Sequence, residues 1–173
     1  MRPRTQTKIL HTLLFLFAVC NVLSCVNPFA PRLDDGSLIG EVITPQATPE
    51  EALTNFRLAY MLRDSLLYAD VIDSAFVFQY FDPDQSLFVS WTREVDLLTT
   101  GRLLRTFDII NLEWFAVGDS LCNENNAVCT KGFRLDLSSG DFGFSAAGFA
   151  IFTFRLNPRD RKWRIVRWVD QSS

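Results

Sequence analysis

The chain has 173 residues, 48% of them hydrophobic and 13% aromatic, with 16 Phe. That composition excludes an intrinsically disordered chain, and the length suits one domain burying roughly 70% of its unfolded-chain surface. The net charge is −3; Arg2, Arg4 and Lys8 are the only charges in the first 24 residues, so the remainder carries 14 Lys and Arg against 20 Asp and Glu, a net −6. An acidic chain of this kind argues against a nucleic-acid partner, whose phosphates need clustered Lys and Arg. The single basic cluster is Arg155, Arg159, Arg161, Lys162, Arg164 and Arg167. Strand alternation would split most of it between two faces, as in a solvated hairpin.

Residues 1–8 form a positive stretch, and an uninterrupted apolar run follows from Leu13 to Cys20, extended loosely to Leu23. The run is shorter than the ~20 apolar residues of a membrane-spanning helix and has the size of a signal-peptide core. Val22-Leu23-Ser24-Cys25 comes directly after it. This tetrapeptide resembles the bacterial lipobox, which implies diacylation of Cys25 as the new N-terminus. Leu23 is bulkier than the usual occupant, and cleavage by the general signal peptidase at the same bond is the alternative. Cys20, after Val19, fits less well. The expectation is a signal peptide over 1–24, a tether over 25–47 spaced by Pro28, Pro31, Gly36, Gly40 and Pro45, and a domain over 48–173. The protein is then exported to the cell envelope and held by lipid on a bacterial membrane, with the outer membrane facing the periplasm as the expected site.

The two other cysteines, Cys122 and Cys129, flank Asn125-Asn126, a pair suited to a tight turn. A hairpin centred there sets Cys122 opposite Cys129, and an oxidising compartment would join them in a cross-strand disulfide. Two small apolar strand residues are the other reading. No metal centre is expected, because the only His is His11 in the signal peptide and only these two thiols remain. No cofactor is expected either.

Thr48-Pro49-Glu50-Glu51 reads as a helix start: Thr48 caps, Pro49 suits the first turn and Glu51 completes a capping box. Leu53, Phe56 and Tyr60 continue at helical spacing, with Leu67 further along, and Asp64 caps a shorter second helix through Leu66, Leu67 and Val71. Ala75 to Phe81 reads as a strand ended by Asp82-Pro83-Asp84. A third helix is predicted from Trp91 to about Thr99, with Ser90 as cap and Gly101 as stop. Strands are predicted over Phe107–Val117, Ala127–Leu137, Phe144–Arg155 and Trp163–Val169, with turns at Ser138–Asp141 and Asn157–Asp160. The whole is an α+β domain with helices on one face of an antiparallel sheet.

This order resembles the cystatin-like cone of the nuclear transport factor 2-like superfamily, which includes ketosteroid isomerases, scytalone dehydratases and polyketide cyclases. The residues that carry the resemblance are Thr48-Pro49-Glu50-Glu51 with Phe56 and Tyr60, Phe76-Val77-Phe78, and the terminal Trp163-Arg164-Ile165-Val166-Arg167-Trp168-Val169-Asp170. It implies about three N-terminal helices on a curved antiparallel sheet of four long strands plus one short strand. A lipocalin-like barrel is the rival fold, and the helices argue against it.

The resemblance admits two classes of function. The leading expectation is a non-catalytic binding or assembly module of the cell envelope; the alternative is an isomerase- or cyclase-like enzyme acting on a small apolar molecule. A dehydratase-type His–Asp pair is closed by the absence of His outside the signal peptide. An isomerase-type acid is not: Asp73, Asp108, Glu113 and Asp136 lie in or beside predicted strands, and Tyr60, Tyr68 and Tyr80 are available. None matches a family motif, so no catalytic residue is assigned; exposed acids on sheets are usually solvated charges. Trp91, Arg93 and Glu94 are candidates for a polar anchor at a pocket mouth, against a structural ion pair worth only ~0.5 kcal/mol.

The Phe-rich strands place Phe107, Ile109, Phe115 and Val117 on one face and Ile110, Leu112, Trp114 and Ala116 on the other. Phe144, Phe152 and Phe154 oppose Phe149 and Ile151 in the same way. A sheet apolar on both faces needs helices on one side and a second covering on the other: a second copy of the chain, another envelope protein or an apolar ligand.

Overall fold

Thr48 opens the first helix as its sequence predicts. In the computed structural model, which describes residues 42–116 and 121–171, helix α1 (Pro49–Met61) starts where the Thr48 hydroxyl accepts the Glu51 amide at 3.1 Å. Glu51 reaches back one residue further than a capping box requires, accepting the Ala47 amide at 2.7 Å. The α1 residues Ala52, Leu53, Phe56, Ala59 and Tyr60 recur at helical spacing and are all buried. Asp64 caps α2 (Ser65–Val71) through the Leu66 and Leu67 amides, both 2.9 Å from Oδ1. The expected N-terminal signal segment, Cys25, most of the tether and Val117 lie outside the described residues.

The rest of the chain alternates strand and helix before settling into long strands: β1 (Ile72–Asp82), β2 (Leu87–Thr92), α3 (Arg93–Thr106), β3 (Ile109–Ala116), β4 (Leu121–Cys122), β5 (Asn126–Ser139), β6 (Phe142–Leu156) and β7 (Trp163–Asp170). One seven-stranded sheet runs in the order β2-β1-β7-β6-β5-β3, with β4 paired to β5. The sheet is mixed, not wholly antiparallel as expected, because β1 runs parallel to β7. The four long strands of the sequence reading are β3, β5, β6 and β7; β2 and β4 are additional.

Two corrections concern local structure. Trp91, expected in a helix, sits on β2 opposite Phe78; α3 starts two residues later, at Arg93. Gly101 does not stop that helix but lies buried inside it, where tertiary packing outweighs its cost of about 1 kcal/mol against Ala. The β5–β6 turn does need a glycine, since Gly140 has φ 57°.

Cysteine pairing is also corrected. Asn123 Oδ1 accepts the Asn125 and Asn126 amides and holds a turn whose register sets Cys122 opposite Ala127, with Cys129 two residues further along β5. Cys122 is exposed, Cys129 is buried, and both are free thiols.

One register shift shapes the inner face. Between Thr153 and Phe154 the β6–β7 pairing skips a residue, so Ile165 faces Phe154 while Trp168 faces Phe152. The bulge lets the uneven spacing of Trp163, Ile165 and Trp168 put all three against the core. The chain approaching α1 is fixed in the same region. Gln46, expected within the tether, is buried: its carbonyl accepts the Trp163 amide at 2.8 Å and its Nε2 donates to the Trp163 carbonyl at 3.1 Å. Asn55 holds Thr44 by accepting its amide at 2.8 Å and donating to its carbonyl at 3.0 Å.

Candidate functional site

The inner face of the sheet and the helices enclose mostly aromatic rings. Phe56 meets Phe152 at 5.9 Å and Trp168 at 5.6 Å between centroids; Trp168 meets Phe78 at 4.8 Å, and Phe152 meets Trp114 at 5.5 Å. Such edge-to-face pairs add about 0.5–1.5 kcal/mol each beyond the area they bury.

A polar cluster around Asp96 interrupts this interior. Helix α3 turns Asp96, Thr100 and Leu104 inward at four-residue spacing, and Asp96 is only 3% exposed. The Tyr68 hydroxyl donates to Asp96 Oδ2 at 2.7 Å. Tyr60 stands 5.7 Å from Tyr68 between ring centroids. Burial pushes the Asp96 carboxyl up to about 6, against the hydrogen bond from Tyr68 and the charge of Arg93, which pull the other way. Burial together with the neighbouring acid also holds both tyrosines well above the ordinary phenol range, so they remain neutral donors. A carboxyl poised near 6 and held by a phenol is chemically capable of proton transfer.

The acids considered from sequence fall elsewhere. Asp73 is buried but takes up Arg155 at 2.7 Å and the Ala75 amide at 2.8 Å. Asp108 is exposed and accepts the Ser139 hydroxyl, Glu113 accepts from Asn111, and Asp136 accepts from Ser145 and Arg134. Of the proposed pocket-mouth residues, Trp91 packs on Phe78 at 5.1 Å and Tyr80 at 5.7 Å. Arg93 donates to the Ala69 carbonyl at 2.9 Å, and its charge is felt at Asp96. Glu94 is not part of the group: it is exposed, and the Thr92 hydroxyl holds its carboxyl below the usual range.

The basic cluster is not simply solvated. Arg164 is bound by Asp70 at 2.9 Å and Asp160 at 2.7 Å, Lys162 reaches Asp70 at 2.6 Å, and Arg167 donates to Gln79.

Two grooves among the described residues are lined without Asp96. One of about 480 Å³ is lined by Leu53, Arg57, Glu113, Trp114 and Lys131, and one of about 470 Å³ by Asp73, Arg155, Asn157 and Arg159. No cluster of His, Cys, Asp and Glu among the described residues has the make-up of a metal site.

On the opposite face of the sheet, Val77, Ile109, Phe115, Leu121, Val128 and Phe149 are exposed. Phe115 and Phe149 flank Gly132 in register on the two neighbouring strands. Phe144, though it alternates with the inward set, is exposed where β6 begins.

No protein-family model matches the sequence, and a comparison with curated proteins gives no match. Solved structures do match. A conserved protein from Planctomyces limnophilus superposes with a TM-score of 0.62 at 16% identity, covering 72% of this chain and 92% of that one. A candidate scytalone dehydratase from Novosphingobium aromaticivorans gives 0.60 at 10% identity over 72% of this chain and 80% of the other. A candidate dehydratase of the NTF2-like family from Streptomyces avermitilis gives 0.55 at 15% identity over 70% and 91%. At these identities the likeness concerns the fold alone. Three helices on a curved mixed sheet, superposing on such proteins along nearly the whole described domain, make this an NTF2-like cone.

Proposed function

We propose that the protein is an exported lipoprotein of the cell envelope, anchored through Cys25, whose cone is a non-catalytic assembly module that pairs through its outer sheet face with a second copy of itself. The observation that carries the non-catalytic part is the filled interior. Phe56, Phe152, Trp114 and Trp168 pack on one another between the sheet and the helices, and Asp96 is 3% exposed and hydrogen-bonded by Tyr68. The anchor is supported by the positive stretch, short apolar run and Cys25 in succession.

The outer face supports a second copy because it carries both charge signs around its apolar residues: Arg134 and Arg167 against Glu113 and Asp136. A two-fold interface must be complementary to itself, and mixed charge around an apolar centre satisfies that. Sedimentation velocity tests it. The wild type is expected to run as a dimer and a Phe115→Glu/Phe149→Glu variant as a folded monomer. A monomeric wild type, or a variant that still dimerises, overturns the assignment.

One observation favours a second reading as an isomerase- or cyclase-like enzyme: Asp96 sits near pKa 6 with a phenol at 2.7 Å. That reading requires Asp96-dependent turnover of a small apolar ketone, abolished in Asp96→Asn.

A further inference from the structure

The described domain begins beside a turn that carries unpaired positive charge. Gln46 is hydrogen-bonded on both sides to Trp163, the first residue of β7, and the β6–β7 turn immediately precedes it. That turn is internally braced: Asn157 N donates to Lys162 O at 2.8 Å, Arg161 N to Asn157 O at 2.9 Å, and Arg159 N to Asn157 Oδ1 at 2.9 Å. Most basic groups nearby are already engaged, Arg155 by Asp73, Lys162 by Asp70, and Arg164 by Asp70 and Asp160. Arg159 and Arg161 are exposed and have no acidic partner among the described residues. Asp73, itself paired with Arg155, lines the same groove as Arg159. At the other end of β6, roughly 50 Å away at ~3.3 Å per residue, Asp108, Asp136 and Asp141 gather around the Ser139–Asp141 turn.

We infer that the Asn157–Lys162 turn is a membrane-docking surface, with Arg159 and Arg161 seated on anionic phospholipid headgroups of the leaflet that holds the lipid on Cys25. This rests on the anchor reading, because the anchor supplies proximity. Cys25 and Gln46 are separated by 20 residues. Twenty residues reach at most roughly 70 Å even when fully extended, so an anchored domain is confined near the headgroup layer at high local concentration. Each basic residue near an anionic surface favours the bound form roughly fivefold. Two act here, partly offset by Asp73 beside Arg159. The acidic end of β6 is repelled by the same surface, so the two ends together set the orientation of the domain.

The test uses the full acylated chain mixed with vesicles of phosphatidylcholine alone or with phosphatidylglycerol added. Flotation with pure phosphatidylcholine reads the anchor; amide hydrogen exchange across residues 157–162 reads the turn. Exchange there is expected to slow about tenfold on the phosphatidylglycerol vesicles, to recover in high salt, and to lose its lipid dependence in Arg159→Glu/Arg161→Glu. Both residues are exposed, so the variant should fold. A chain that floats with both vesicles but exchanges equally on them overturns the docking surface and leaves the anchor standing. Salt-sensitive flotation with phosphatidylglycerol vesicles only, with the turn protected, sustains the surface and overturns the anchor. No flotation with either overturns both.

Discussion

Replacing Asp96 by Asn should stabilise the protein at neutral pH and leave it nearly unchanged in acid. Asp96 is held under Tyr68 in an aromatic interior, and its folded pKa of about 6 lies above the value near 4 of an unfolded carboxyl. Between those values the folded state keeps a proton that the unfolded state has released. Stability therefore falls as pH rises from about 4 to about 6 and is level above that. Two pKa units at about 1.4 kcal/mol each set the cost of ionising Asp96 near 3 kcal/mol at pH 7 and above. Asn retains the acceptor for Tyr68 and cannot ionise. The attraction of Arg93 is already contained in the folded pKa, so the gain expected is the full cost, about 3 kcal/mol at pH 8, and about none at pH 4. Urea unfolding of both proteins from pH 4 to pH 8 measures the difference, in which groups common to the two cancel. If Asp96→Asn keeps the wild-type pH dependence, or is less stable at pH 8, then Asp96 is not a buried acid ionised at a cost.

Three further outcomes follow from the packing. Phe152→Ala empties the centre of the inner face, where the ring is fully buried against Phe56, Trp114 and Trp168, and should cost about 3–5 kcal/mol in urea unfolding. Arg164→Ala removes charge-assisted hydrogen bonds to Asp70 and Asp160 from a side chain only 12% exposed, costing about 1–2 kcal/mol after screening at the exposed partners. Arg164 holds Asp160 down at about 2, so this contribution is whole above pH ~4 and fades as pH falls towards 2, and acid titration of wild type against variant shows the difference. Alkylation of the native protein followed by mass mapping should modify Cys122 rapidly and Cys129 slowly, because burial pushes the Cys129 thiol up to about 11; equal rates would contradict the placement of Cys129.

Local signals in the sequence carried most of the fold. Thr48 and Asp64 announce their helices because a cap is a short-range interaction, and the alternating Phe of β6 announces its two faces. The parallel β1–β7 pairing is non-local, so nothing in either strand declares it. Gly101 misled because helix propensity is weak beside burial, and Trp91 because strand β2 leads into α3 with no break between them. The centre of the candidate site was legible only in part. Tyr60 and Tyr68 stood out as available phenols, whereas Asp96 hid in a helix whose leucines, Leu97, Leu98 and Leu103, suggest a different inward face. The four-residue spacing of Asp96, Thr100 and Leu104 was the signal that would have found it. Cys122 and Cys129 were misplaced because the Asn123 side chain shifts the turn by one residue from the assumed centre.

A high-resolution crystal structure of the mature chain tests the central claim most directly. It should show Phe56, Phe152 and Trp168 in mutual contact with Asp96 closed beneath Tyr68, and a second copy seated on Phe115 and Phe149. A cavity opening onto Asp96 and holding an ordered apolar molecule, with the outer face bare in every contact, would contradict it.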